Sequence, residues 1–217
     1  PPGVGKATMA YRIARYLLAH GAGDGGTADL SVPANDPAAM QVAAGAHPGL
    51  LLLQRGINDK TGKQMTVLGV DEVRKLAGFF GMTSGAGGWR VAIVDTADDM
   101  NDNAANALLK MLEEPPGRAM LILLANRPGQ LLPTIRSRCQ RLDLRPLDDA
   151  TVADALKAFL PEADANERNS LARLAGGSIG AALTLAGGEG GELAAEADRL
   201  IENAASPDTI ALLALGD

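Results

Sequence analysis

Cysteine occurs once in the 217 residues, at Cys139. One thiol excludes an intrachain disulfide and any zinc site built on cysteines, and it fits a reducing, cytoplasmic setting. Histidine occurs twice, at His20 and His47. Two imidazoles alone do not make a zinc site, so the expectation is no metal, with both histidines serving turns or loop surface. Aromatic residues make up only 3% of the chain, so a core must come from aliphatic side chains and alanine. Basic charge is also short: 20 Lys and Arg stand against 26 Asp and Glu, for a formal net charge of -6. That balance argues against a stand-alone nucleic-acid binder, because affinity for DNA rests on cations that neutralise phosphates. No apolar run approaches the roughly 20 residues of a membrane helix, and no secretory signal is visible.

What is present is aliphatic and glycine-rich, with 47% apolar residues and 26 glycines. The length allows one large domain or two small ones. Apolar residues at helical spacing mark a helix over 7–18 and another from Val70 to Phe80, which SGAGG (84–88) ends. Pro37 can open a short helix over 38–44. Residues 21–37 are a loop, and 56–66 a polar, flexible one. Three short apolar runs, LLLLQ from 50, WRVAIVD (89–95) and AMLILLA (119–125), suit strands buried on both faces. Asn101 or Asp102 can cap a helix through AANALLKMLEE that Pro115-Pro116 stops. A helical turn near 130–136 leads to SRCQRLDL (137–144), expected as a fourth strand. Strands alternating with helices predict an α/β fold with a largely parallel sheet. After Pro146 the pattern turns helical, with short helices expected at 148–160, 165–175 and 179–186. GGEGG (187–191) reads as a linker, followed by helices at 192–204 and 207–215.

The chain opens PPGVGKAT, most of a phosphate-binding loop. Gly3 and Gly5 can turn backbone N–H groups toward a phosphate, and Lys6 adds a point charge. Ala7 stands where the pattern G-x-x-x-x-G-K-[ST] needs a magnesium-binding hydroxyl, and Thr8 comes one residue late. A P-loop joins a strand to a helix, so a strand is expected upstream of Pro1. VAIVD ends in Asp95 at the edge of a buried strand, where an acidic residue can hold magnesium. Thr96 follows, and a hydroxyl is a poor general base. Asp98 and Asp99 are expected to point elsewhere. Asn126 ends the third strand, where its amide can touch a phosphate or orient a water; equally, it can be a turn-forming asparagine. Arg138, taken alone, is a surface arginine at a helix end.

TIRSRCQRL, NALLKMLEEPP, the GVDEVRKL helix and the broken P-loop, in this order, resemble bacterial clamp-loader subunits of the AAA+ class. The resemblance covers nearly the whole chain. It implies an AAA+ P-loop core over 1–145, a three-helix lid over 146–188 and the start of a helical collar domain over 189–217. The motor subunits of that family carry Ser or Thr at the position of Ala7 and Glu at that of Thr96. They also carry an arginine in a lid motif that here reads GSIGAAL, with Gly180 in its place. Three contributors to hydrolysis are therefore missing, and the resemblance implies a non-hydrolysing subunit. ATP binding remains open through Gly3, Gly5, Lys6, Asp95 and Asn126. Arg138 corresponds to an arginine that enters the ATP site of a neighbouring subunit. Implied partners are the motor subunits and delta, with the sliding clamp and primer-template DNA engaged through the complex. Some relatives bind zinc with four cysteines in the region of 20–56, which has none here. The alternative is an active motor subunit of the same loader. A small-molecule kinase leaves Ser137-Arg138-Cys139 unexplained, and a structural domain with a fossil P-loop leaves Asn126 and Arg138 unexplained.

Overall fold

A computed structural model describes residues 2–21, 30–57, 61–81 and 88–187. The chain divides into two compact units, Lys6–Asp143 and Pro1–Gly5 together with Leu144–Asp217. The first contains α1 (Lys6–His20), α2 (Pro37–Ala43), β1 (Leu50–Leu53), α3 (Val70–Gly81), β2 (Arg90–Asp95), α4 (Asp102–Glu113), β3 (Ala119–Leu124) and α5 (Pro133–Arg136). The second contains α6 (Asp149–Phe159), α7 (Ala165–Leu174) and α8 (Ile179–Ala186).

The sheet has the order β1-β2-β3, and both pairings are parallel. Parallel neighbours need a crossover, and α3 and α4 supply the two. Side chains along β2 alternate between faces, as a pleated strand requires. Val91 and Ile93 pack with Ala10, Ala14 and Leu17 of α1. Ala92 and Val94 join Leu76 of α3, Leu108 of α4 and Ile135 of α5. All four β2 residues are fully buried. Helices thus cover both faces, and the expected α/β architecture with a parallel sheet is what forms. Asn101 caps α4: its Oδ1 accepts the Ala104 N–H at 2.9 Å. The helix stops at Glu113, two residues before Pro115.

The fourth strand expected over 137–144 does not form. Turns at 137–138 lead into irregular backbone through 148. Beyond Cys139, little of the segment is buried: Leu142 is 68% exposed, and Arg141 pairs locally with Asp143 at 2.8 Å. Charged and polar residues there remove the apolar alternation that seats a strand on a core. Within residues 56–66, expected as a polar, flexible loop, Ile57 and Gln64 make an antiparallel bridge.

In the second unit α6, α7 and α8 meet through Val152, Leu156, Leu171, Ala172 and Ala182. Each has an N-cap side chain, Asp148, Asp164 and Ser178 in turn, accepting a backbone N–H of the first turn. Such caps contribute about 1 kcal/mol each. Residues 82–87, most of the glycine-rich stop after α3, lie outside the described residues. So do the linker from 188 and the helices expected at 192–204 and 207–215.

Candidate functional site

The phosphate-loop glycines adopt the conformation their residue type permits. Gly3 and Gly5 have φ of 75° and 90°, in the left-handed region that side chains avoid. Lys6 then opens α1, and Ala7 places a methyl group in its first turn. Within the second unit the loop is held by the start of α8. The Ser178 hydroxyl donates to the Pro2 carbonyl at 3.1 Å, and the Gly180 N–H donates to the Gly3 carbonyl at 3.2 Å. Ser178 Oγ also accepts the Ala181 N–H at 3.0 Å, so this buried hydroxyl is used as both donor and acceptor. A Cβ on Gly180 would lie 2.9 Å from Gly3 Cα, and one on Gly3 would run into Ser178 Oγ. The two backbones meet with no space for a side chain on either. The resemblance implies an arginine of the motor subunits at the position of Gly180; it does not reveal this contact.

In the first unit Asp95 ends β2 and pairs in register with Leu124, two residues before Asn126. Asp95 and Asn126 therefore share the carboxyl edge of the sheet, where ligands collect in open parallel folds. Asp98 and Asp99, set aside from sequence as pointing elsewhere, brace this edge. The Asp98 carboxylate accepts the N–H groups of Asn126 at 3.1 Å and Arg127 at 3.0 Å. Its side chain is 1% exposed, with Arg127 Nε 3.6 Å away. Asp99 pairs with Arg55 at 3.4 Å and Arg127 at 3.6 Å. It also accepts the Thr96 hydroxyl at 2.9 Å. Thr96 is thus a donor to a neighbouring carboxylate, not a base at the strand end. Asp98 lies 28 and 29 residues from the two amides it meets, and no local pattern signals such pairs.

Arg138 follows α5 with its side chain 38% exposed. Its Nη1 donates to the Thr134 carbonyl at 3.0 Å, and its Nη2 donates to Glu113 Oε1 at 3.0 Å. Glu113 is the last residue of α4 and was invisible as a partner from sequence. At the next position burial raises the pKa of the Cys139 thiol, which disfavours the thiolate. His47 serves a turn: its Nδ1 accepts the Gly49 N–H at 3.0 Å. His20 meets the ring of Tyr16 edge-on. No group of three or more His, Cys, Asp or Glu among the described residues could hold a metal ion. No helix among them is long and apolar enough to cross a membrane.

Residues 1–148 match the model of a family described as DNA polymerase III, delta subunit. The chain belongs to this family. It is 37% identical over 179 residues to DNA polymerase III subunit delta' of Pseudomonas aeruginosa, covering 82% of this chain and 51% of that protein. It is 34% identical over 190 residues to the Escherichia coli K12 subunit of the same name, covering 87% and 53% respectively. The chain thus spans about half the length of these curated relatives. Among solved structures, a DNA polymerase III gamma subunit-related protein of Thermotoga maritima matches with a TM-score of 0.43 at 24% identity, covering 69% of this chain and 50% of that one.

Proposed function

We propose that the chain is a delta prime-type, non-hydrolysing subunit of the DNA polymerase III clamp loader. In this role it works in the cytoplasm with the motor subunits and delta to load the sliding clamp onto primed DNA. It supplies Arg138 to the ATP site of a neighbouring subunit. ATP bound by the motor subunits orders the assembly that opens the clamp on primer-template DNA, and hydrolysis releases it. DNA contact comes from the assembled interior, since the net charge of this chain is negative.

One observation carries the reading: the phosphate loop lies backbone-to-backbone against α8 at Gly180. Any larger residue there, such as the arginine of the motor subunits, meets Gly3 Cα. Ala7 removes a magnesium ligand, and the Thr96 hydroxyl donates a hydrogen bond to Asp99 and is a poor base for activating water. Losing one contributor would slow hydrolysis; losing three removes the chemistry. Arg138, by contrast, is partly exposed and fixed by two hydrogen bonds. A planar guanidinium with donors to spare suits contact with developing phosphate charge. The subunit also acts without zinc in this reading.

The test is phosphate release by the full-length chain alone, and by a reconstituted loader with and without it. The chain alone should release no phosphate above background, and the loader without it should not load clamps. Turnover by the chain alone near about 1–100 per second, ordinary for enzymatic phosphoryl transfer, overturns the proposal.

A further inference from the structure

Glu113 sits where a carboxylate does not help its own helix. It is the last residue of α4, with Glu114 beside it at the C-cap. A helix C-terminus carries partial negative charge, so an acidic residue there opposes the macrodipole. Its one described contact is the Arg138 guanidinium, 3.0 Å away and 25 residues on in sequence. Both side chains are substantially exposed, 38% for Arg138 and 50% for Glu113. An exposed pair of this kind contributes little to folding. Helix stability and fold stability therefore both fail to explain the placement.

The geometry points to Glu113 as a positioning residue for Arg138, an inference that rests on the trans-arginine reading above. A free arginine side chain populates many rotamers, and docking it on a neighbour's nucleotide means ordering it. Here the ordering is done in advance. The Thr134 carbonyl holds Nη1 and the Glu113 carboxylate holds Nη2. A guanidinium has five N–H donors, so these two bonds leave three for a phosphate. The carbonyl belongs to α5, the short helix that Arg138 follows, whereas the carboxylate comes from α4. Glu113 thus ties the finger to the helix that packs on the sheet. Glu113→Gln keeps the shape but weakens a charge-assisted bond to a neutral one.

The test has two arms, both with the full-length subunit. The first follows the 15N signals of the Arg138 guanidinium in the subunit alone. Slow, resolved Nη signals are expected in the unmodified protein and averaged ones in Glu113→Gln, while folding stability stays the same or rises as the helix loses an unfavourable charge. The second arm is single-turnover ATP hydrolysis by the reconstituted loader with clamp and primed DNA. Arg138→Ala should slow one class of sites. Glu113→Gln should slow the same fraction of sites by about three- to tenfold, the ordering cost of one long side chain. Glu113→Asp should recover part of the rate, and the double variant should be no slower than Arg138→Ala. Glu114→Gln, which removes a neighbouring charge, should leave the rate unchanged. A mobile Arg138 in the unmodified subunit overturns the positioning role. So does a Glu113→Gln loader that hydrolyses normally while Arg138→Ala is slow; that result leaves the trans-arginine reading standing. Effects of the two substitutions that simply add also overturn it. If Arg138→Ala itself changes nothing, the trans-arginine reading fails.

Discussion

Gly180→Ala adds a single carbon, and its effect on stability has a sign that decides whether the loop contact exists in solution. In an exposed helix, replacing glycine by alanine stabilises by roughly 0.5–1 kcal/mol through backbone entropy. Gly78 in α3 is such a case, because nothing lies within 4 Å of a Cβ built there. At Gly180 the new Cβ lies 2.9 Å from Gly3 Cα. Backbone is what it meets, so relief requires the loop or α8 to move. Overpacking of this kind costs about 1–3 kcal/mol. Displacing the loop also weakens the 3.2 Å Gly180-to-Gly3 hydrogen bond, worth about 1 kcal/mol. Set against the helix gain, the net is a loss of roughly 2 kcal/mol. Urea unfolding of the full-length protein, with Gly78→Ala as the comparison, measures both signs. Amide exchange at position 180, whose N–H donates to the Gly3 carbonyl, should accelerate in Gly180→Ala and stay unchanged in Gly78→Ala. Hydrolysis should stay absent, because Ala7 and Thr96 are unchanged. If Gly180→Ala stabilises as Gly78→Ala does, with unchanged exchange at the loop, the contact is not formed and the closed-loop account is wrong.

Asp98→Ala strips the acceptors from the Asn126 and Arg127 amides at the edge of the sheet. Hydrogen bonds to a charged group contribute about 1.5–3 kcal/mol each, so a loss of roughly 3 kcal/mol in denaturant unfolding is expected; a loss under about 0.5 kcal/mol would show that the brace does nothing. His47 has its pKa lowered from the ordinary 6.5 by burial, and its Nδ1 must be unprotonated to accept the Gly49 N–H. The unfolded chain therefore binds the proton more readily. The stability His47 contributes is present above pH 6.5 and is lost as pH falls through the lower folded value. NMR titration should place its midpoint below 6.5, and His47→Gln should flatten this part of the stability profile; a midpoint above 6.5 contradicts the sign. On the proposed non-hydrolysing role, Lys6→Ala should leave clamp loading by the reconstituted complex almost unchanged, because Ser178 and Gly180 hold the loop backbone. Severe loss of loading in that variant would give the loop a working role.

The regular elements are legible because each carries its own period. Val70, Val73, Leu76 and Phe80 mark α3, and the continuous run Val91–Val94 marks a strand covered on both faces. The helices expected at 148–160, 165–175 and 179–186 form within a residue or so of those bounds, and Asp148, Asp164 and Ser178 cap them. The strand expected over 137–144 fails for a nonlocal reason: a strand exists only if a neighbour and a buried face are available, and sequence shows neither. The site divides along the same line. Gly3, Gly5, Lys6, Asp95, Asn126 and Arg138 can be named from motifs, since motifs are local. Their partners cannot. Asp98 reaches amides 28 and 29 residues away, Glu113 reaches an arginine 25 residues away, and Ser178 reaches a carbonyl 176 residues away. Only the fold brings such pairs together.

The central claim is that Arg138 acts on a neighbour's ATP. A finger supplied in trans can be worth about 10³–10⁵ in rate at the site it serves, or roughly 4–7 kcal/mol at 1.36 kcal/mol per tenfold. The most direct measurement is clamp loading and DNA-stimulated ATPase of a complex reconstituted with Arg138→Ala and otherwise intact partners, with assembly checked by gel filtration. On the proposed role several sites would contribute to total ATPase and Arg138 would serve one, so ATPase should fall by less than the single-site factor. Clamp loading, which needs the sites in concert, should fall further, and Arg138→Lys should restore little because a point charge cannot copy the planar fork. A mutant complex that assembles and loads clamps at the unmodified rate would make Arg138 a surface arginine held by Glu113 and nothing more.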